Sequence, residues 1–281
     1  MRRAKSWRKR GAAVLLGAVL TVWTLVPVYN ILLIALNGEG EEFSAELWPA
    51  DPSFEGFRAM WAQDFWYLEH FWHQFGNSLY IGLATMVLTV VLGSLASFAI
   101  GRMGLRHGMA IGHASLLTYT VPASFLAIPF TRLIAFYGLS DNLLAVIAAE
   151  VTFATPYAIL ILHQYGRLIP MELDEAAQVD GAAPFGIYRR IYLPLMAPAL
   201  AAVATFALLL AWNEYQYQFL LLSSTKSMTV AVALDQFFDS DEAPWNYMMS
   251  IALVYSLPPI AVYYALRRYM VAGLTMGGVK G

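Results

Sequence analysis

The residues best suited to work on a partner lie together between Arg167 and Pro198, in the run RLIPMELDEAAQVDGAAPFGIYRRIYLPLMAP. Glu172, Asp174 and Glu175 precede the small pair Ala176 and Ala177. Asp180 and Gly181 follow, then Arg189, Arg190, Ile191, Leu193 and Pro194. The chemistry on offer is contact: a carboxylate at Glu175 can pair with a basic group, and the alanines let a backbone come close. Pro170 predicts a helix start, because its missing N–H falls where no partner exists. The acids then sit in the first turn, where the helix dipole favours negative charge. Asp180 and Gly181 predict the helix end, with glycine supplying a left-handed turn. Pro184 predicts a second short helix ending near Arg189 and Arg190, and Pro194 and Pro198 lead into an apolar run. Two short helices joined by glycine make a compact knob, the shape of a rigid docking element.

A second set of polar residues sits inside apolar runs, where polar groups are costly and therefore functional candidates. These are Glu150, His163, Gln164, Asn213, Glu214, Gln216 and Gln218. His163 and Gln164 read as interfacial. Asn213 and Glu214 read as fixing their own helix in preference to touching a ligand. Trp212, Tyr215, Tyr217 and Tyr255 stand nearby, although aromatic stripes at helical spacing are more often core. The in-span carboxylates are isolated, and HExxH and GxSxG are absent, which argues against an intramembrane enzyme. GxxxxGK[ST] is also absent, so nucleotide would bind elsewhere. With no cysteine, disulfides, zinc-thiolate sites and thiol catalysis are excluded, and no metal site is expected.

The elements that must hold these residues are apolar helices. Of 281 residues, 59% are hydrophobic and 13% charged, against about 25% charged in ordinary soluble domains. Mean hydropathy is +0.57. Six spans are predicted: Gly11–Leu36, Asn77–Ile100, Gly112–Tyr137 (interrupted by Pro122 and Pro129), Leu143–Leu162, Leu195–Leu222 and Tyr247–Leu266. The first run is too long for a signal-peptide core of about 7–15 residues. Residues 1–10, 101–111, 163–194 and 267–281 hold 14 of the 17 Lys and Arg. This bias puts those segments and both termini in the cytoplasm.

Residues 37–76 are acidic and aromatic, as suits a membrane–water interface, with a short interfacial helix expected near residues 54–75. The chain thus divides into 1–36 (tail and first span), 37–76, a five-helix core 77–270 that includes the loop 167–194, and a cytoplasmic tail 271–281. Arg132 is expected to pair with an outer acid such as Asp141. Asp235, Asp239, Asp241 and Glu242 form an acidic patch that reads as solvated. Gly104, Gly108 and Gly112 read as a turn.

Glu175-Ala176-Ala177, three residues, Gly181, nine residues, then Ile191-x-Leu193-Pro194 resembles the EAA loop of bacterial ABC importer permeases at every fixed position. Asp180-Gly181-Ala182, Leu193-Pro194-Leu195 and Trp212-Asn213-Glu214-Tyr215 resemble the carbohydrate branch. The tail Gly273-Leu274-Thr275-Met276-Gly277-Gly278-Val279-Lys280-Gly281 resembles the MalG-like members of the maltose-type permeases, with Met276 in place of a smaller residue. The resemblance covers the chain from Asn77 onward and the first span in outline. Segment 37–76 matches no motif of the family.

This resemblance implies the type I importer permease fold: an all-α integral membrane protein of six transmembrane helices. It implies that Glu175, Ala176, Ala177, Asp180, Gly181, Ile191, Leu193 and Pro194 dock on an ATPase subunit, and that Gly277, Gly278 and Lys280 in the tail reach the same partner. The partners implied are two ATPase subunits, a second and different permease, an extracytoplasmic solute-binding protein and membrane lipid, with no nucleic acid. No cofactor is held by this chain, since ATP and Mg belong to the ATPase. The translocation path would draw on Glu150, Trp212, Asn213, Glu214, Tyr215 and Gln218. Sugar import into a bacterial cell is the reading. An importer of glycerol phosphate or polyamine, and a purely structural membrane subunit, are the alternatives.

Overall fold

The computed structural model describes residues 2–38, 40, 46–105, 107–238 and 244–276, with backbone alone for 2–9, 109, 111 and 271–276. Its α-helices are α1 (Arg2–Leu36), α2 (Glu55–Ala62), α3 (Phe71–Arg102), α4 (Gly108–Ser115), α5 (Ala123–Phe136), α6 (Leu143–Gly166), α7 (Glu172–Val179), α8 (Pro184–Ile187), α9 (Leu193–Leu195), α10 (Ala197–Asn213), α11 (Gln216–Leu221), α12 (Val230–Phe238) and α13 (Trp245–Met276). No strand occurs among the described residues. Gly277, Gly278 and Lys280, and with them Asp239, Asp241 and Glu242, lie outside the described residues.

Four stretches are long and apolar enough to cross a membrane: Arg10–Leu36, Trp66–Arg102, Leu143–Gly166 and Trp245–Met270. Two more qualify as bent pairs. Gly112–Thr120 meets Ala123–Phe136 at 102°, and Pro184–Leu195 meets Ala197–Asn213 at 80°. Taken as one span each, they bring the number to six, although the second pair includes Pro184–Leu195, which the sequence places almost wholly in the loop 167–194. The first bend has a local cause. Val121 precedes Pro122, whose ring pushes it out of the helical region, and it is extended at φ −96, ψ 119.

Several expected boundaries are corrected. The fifth span does not run to Leu222: α10 stops at Asn213, and Glu214 is extended at ψ 129. The physical reason is a competing helix start. The Glu214 carboxylate accepts the backbone N–H of Tyr217 at 2.9 Å and of Gln218 at 3.2 Å, which caps α11. The expected interfacial helix over 54–75 is broken as well. α2 ends at Gln63, which is left-handed at φ 57, and the Gln63 amide donates to the carbonyls of Leu68 and Glu69. α3 accordingly begins at Phe71, before the predicted Asn77. The last helix continues past Leu266 to Met276.

The chain forms two compact units, 1–71 with 234–256, and 72–233 with 257–281. Residues 234–256 therefore pack with the N-terminal segment, where the sequence grouped them with 77–270. In the first unit, aromatics from the acidic segment make much of the core. Phe65 stands edge-on to Phe237 and Tyr247 at 5.9 and 5.2 Å, and the Tyr67 hydroxyl donates to the Gln236 carbonyl at 2.9 Å. Phe54, Trp61 and Trp66 remain exposed. Gly56 packs directly on α13: a Cβ there would lie 2.6 Å from Ser250 Oγ and 2.9 Å from the Asn246 carbonyl.

The second unit is built on α6 against α10. One cluster joins Ile81 to Ala145, Val146, Ala149, Tyr217 and Leu221. Another joins Phe98, Ala158, Leu162, Ile187, Tyr188, Tyr192 and Met196. At Gly93 a Cβ would stand only 2.9 Å from that of Ala158, so α3 packs on the Ala158 side chain of α6 without room for a larger residue. Hydroxyls of Thr131, Thr152, Thr155 and Thr205 bond carbonyls four residues back. In hydrocarbon such groups need a partner inside the protein.

Candidate functional site

The knob between the fourth and fifth spans forms as its prolines and glycine direct. α7 begins at Glu172, two residues after Pro170, with Glu172, Asp174 and Glu175 in its first turn. It ends at Asp180, and Gly181 takes φ +82, a left-handed backbone that costs an L side chain strain. Pro184 opens α8. The second helix does not stop near Arg189 and Arg190. It passes through a π turn over Tyr188–Tyr192 into α9, so the helical path continues to Leu195.

The π turn anchors the knob. Its wider coil points Tyr188 and Tyr192 at α3, where their hydroxyls meet Ser94 Oγ at 2.7 Å and Ser97 Oγ at 2.8 Å. Phe98 packs edge-on to both rings at 5.3 and 5.1 Å. α8 and the π turn are thereby fastened to a membrane span.

The uncovered face of the knob mixes acidic and apolar residues. Glu175, Ala176 and Asp180 are exposed, and so are Val179 at 88% and Phe185 at 67%. Between α7 and α8 lies a recess of about 570 Å3, lined by Ala177, Gly181, Ala182, Gly186, Arg190 and Ile191. Leu193 is half-buried and Pro194 exposed. Asp174, next to Glu175, is different. It is 4% exposed and pairs with Arg102 at 3.2 Å. Sequence reasoning missed this pair, because the acid read as a first-turn charge and Arg102 as one more basic residue at a span end.

The candidate path residues are scattered in exposure. Glu150, Trp212 and Gln218 are buried within the chain, Asn213 is exposed, and Glu214 and Tyr215 are intermediate. Glu150 lies beside the Glu214 carboxyl and the Gln218 amide. Asn213 donates to the Leu209 carbonyl at 2.8 Å. Gln218 donates to the Ala211 carbonyl at 2.9 Å and accepts from Thr229 Oγ1 at 2.5 Å. The Gln218 bond satisfies a carbonyl in the last turn of α10, where the helix breaks.

The expected ion pair of Arg132 with Asp141 is not formed. Asp141, at φ 56, accepts from the backbone N–H of Ser223 and Ser224 at 2.8 and 3.1 Å and from the Ser227 hydroxyl. Its own N–H donates to the Leu221 carbonyl at 3.0 Å. Arg132 is an exposed residue on α5. Backbone donors fixed in place by the turn, with the Ser227 hydroxyl, occupy the carboxylate instead.

An all-helical membrane chain that projects a rigid, partly apolar knob between two spans has the build of a transporter's membrane subunit. The chain belongs to the family of binding-protein-dependent transport system inner membrane components, which it matches over residues 90–275. It is 30% identical over 270 residues to the inner membrane ABC transporter permease protein YcjP of Escherichia coli, covering 94% of each chain. It is 32% identical over 282 residues to the trehalose transport system permease protein SugB of Mycobacterium tuberculosis, covering 100% of this chain and 99% of that one. Among solved structures, a chain of a bacterial ABC transporter that imports the acidic polysaccharide alginate superposes with a TM-score of 0.78 at 21% identity. That match covers 95% of this chain and 98% of the other. The protein is an ABC importer permease subunit, and ATP hydrolysis belongs to a separate subunit.

Proposed function

We propose that this chain carries a sugar across the inner membrane, and that α7 with the turn at Gly181 is the element an ATPase subunit grips. The observation that carries the docking reading is the division of α7. Glu175, Ala176 and Val179 face out uncovered, while Asp174 one position away is buried. An exposed apolar surface rimmed by polar groups marks an interaction site. Glu175 meets a basic group on the ATPase, and Ala176, Ala177 and Gly181 set the close fit. Ile191, Leu193 and Pro194 carry the displacement toward the fifth span.

The wider assembly in this reading is two ATPase subunits, a second permease and an extracytoplasmic solute-binding protein. Both termini are cytoplasmic, and the tail residues Gly277, Gly278 and Lys280 reach the ATPase. The kinship with a trehalose permease supports a sugar cargo. Solute and ATP then shift a population between two access states, with no bond chemistry on this chain. The polar turn Trp212–Gln218 and Glu150 border the path in those states.

Two measurements test this. Gly181→Val leaves the chain in the membrane but loses the ATPase on affinity purification, and Glu175→Arg does the same; normal co-purification of both variants refutes the docking reading. Thermal-shift screening of the cognate binding protein is expected to respond to trehalose or a related oligosaccharide. A response only to glycerol phosphate or a polyamine would reassign the cargo.

A further inference from the structure

We infer that Arg102 and Asp174 are a positioning pair, a strut through which movement of the docked knob is passed into the membrane spans. The inference rests on the docking reading above and adds the route of the force.

Arg102 is the last residue of α3 and Asp174 belongs to α7. Their charged groups stand 3.2 Å apart, and both side chains are 5% exposed. No hydrogen bond reaches either Asp174 oxygen among the described residues, so Arg102 supplies the charge that compensates it. The same guanidinium donates to the carbonyl of Gly166, at the end of α6, at 3.1 Å and to that of Ile169 at 2.8 Å. It also lies 5.9 Å from the ring of Tyr192, which Ser97 holds to α3. One planar, permanently charged group thus collects the ends of two spans, the knob's first helix and the π turn.

Stability alone does not explain this arrangement. A buried ion pair recovers little beyond the cost of desolvating it, and apolar residues of similar volume hold a fold as well or better. What a pair gives that apolar packing does not is resistance in both directions. Apolar surfaces slide past one another, but a buried carboxylate that leaves its guanidinium becomes an orphaned charge. A shift of α7 therefore draws α3 and the end of α6 along with it. Room for such a shift exists: a cavity of about 330 Å3 is bordered by Gly101, Arg102, His163, Met171 and Tyr192. The residues also divide the work along α7, with Asp174 facing inward to hold the helix and Glu175 outward to meet the partner.

The test uses the complete transporter in proteoliposomes and reads solute moved per ATP hydrolysed. Asp174→Asn keeps the size of the side chain and removes its charge. We expect the ATPase to co-purify normally, hydrolysis to persist, and the transport-to-hydrolysis ratio to fall about tenfold, within the usual span of coupling between sites. Arg102→Lys, which keeps the charge but loses the fork, should fall between Asp174→Asn and the parent. An unchanged ratio in Asp174→Asn overturns the inference, even where the melting temperature drops, because the pair is then merely structural. Loss of the ATPase from Asp174→Asn overturns it too, since the pair would then shape the docking surface. Gly181→Val separates the two readings: unchanged ATPase retention there refutes the docking reading, whatever the ratio in Asp174→Asn.

Discussion

Asp141 shows how much can turn on a single side chain outside the spans. Desolvation raises the proton affinity of its carboxyl, but hydrogen bonds from Ser227, Ser223 and Ser224 together outweigh that effect. They hold it well below its ordinary value of 3.8. A carboxyl whose folded pKa is depressed lends stability that is fully present above the unfolded value and is lost as pH falls through the folded one. The stability of this turn is therefore insensitive to pH near neutrality and declines below about pH 4. Asp141→Asn keeps a residue type that tolerates a left-handed backbone but removes the charge. We expect the parent to lose melting temperature between pH 5 and pH 3 by more than the variant, in nanodisc-held protein. Parallel pH profiles would contradict this. Nothing in the local sequence announced the site, since Asp141 and its serine partners lie on separate segments. The nearest cation in sequence, Arg132, was the natural but mistaken partner.

At the level of elements, the knob was the most legible part of the chain. Pro170, Gly181 and Pro184 act through local backbone geometry, so their effects could be read without neighbours. The π turn could not, because its reason is tertiary: it turns Tyr188 and Tyr192 together onto Ser94 and Ser97. Tyr192→Phe removes one buried hydroxyl contact and should cost about 1–2 kcal/mol of stability, read by thermal unfolding. No loss would mean that the ring alone anchors the knob. The α3–α6 contact makes the opposite demand. Gly93→Val forces a side chain into a 2.9 Å gap against Ala158. Such overpacking typically costs about 1–3 kcal/mol. A variant with parental stability would show that the two helices separate more readily than their fit implies. The break at Glu214 was hidden by composition. The apolar residues on either side of Asn213–Gln218 allow one continuous helix, and only the capping bonds of the Glu214 carboxylate reveal the new start.

On the scale of the whole molecule, the distribution of charge predicts the orientation in the membrane. Because the chain has no cysteine, a single introduced one reports on one place only. Ser6→Cys is expected to react with a membrane-impermeant maleimide only after permeabilisation, and Asp51→Cys in intact cells. The reverse pattern would invert the topology and put the knob on the wrong side for an ATPase. In a variant that keeps only Trp61 and Trp66 of the eight tryptophans, both exposed in the first unit, fluorescence is expected to be quenched by brominated lipid. Quenching by aqueous iodide alone would remove them from that interface.

The sequence by itself determined the helical class, the apolar stretches able to cross a membrane, the place of the knob and the family. Apolar runs of spanning length, basic flanks and short-range proline and glycine signals act over a few residues and need no partner to be read. The tertiary structure alone decided who pairs with whom: Arg102 with Asp174, Asp141 with its serines, Tyr192 with Ser97, and residues 234–256 with the N-terminal unit. Those choices depend on which side chains packing brings within about 3 Å, and a linear chain does not encode that distance in any local pattern.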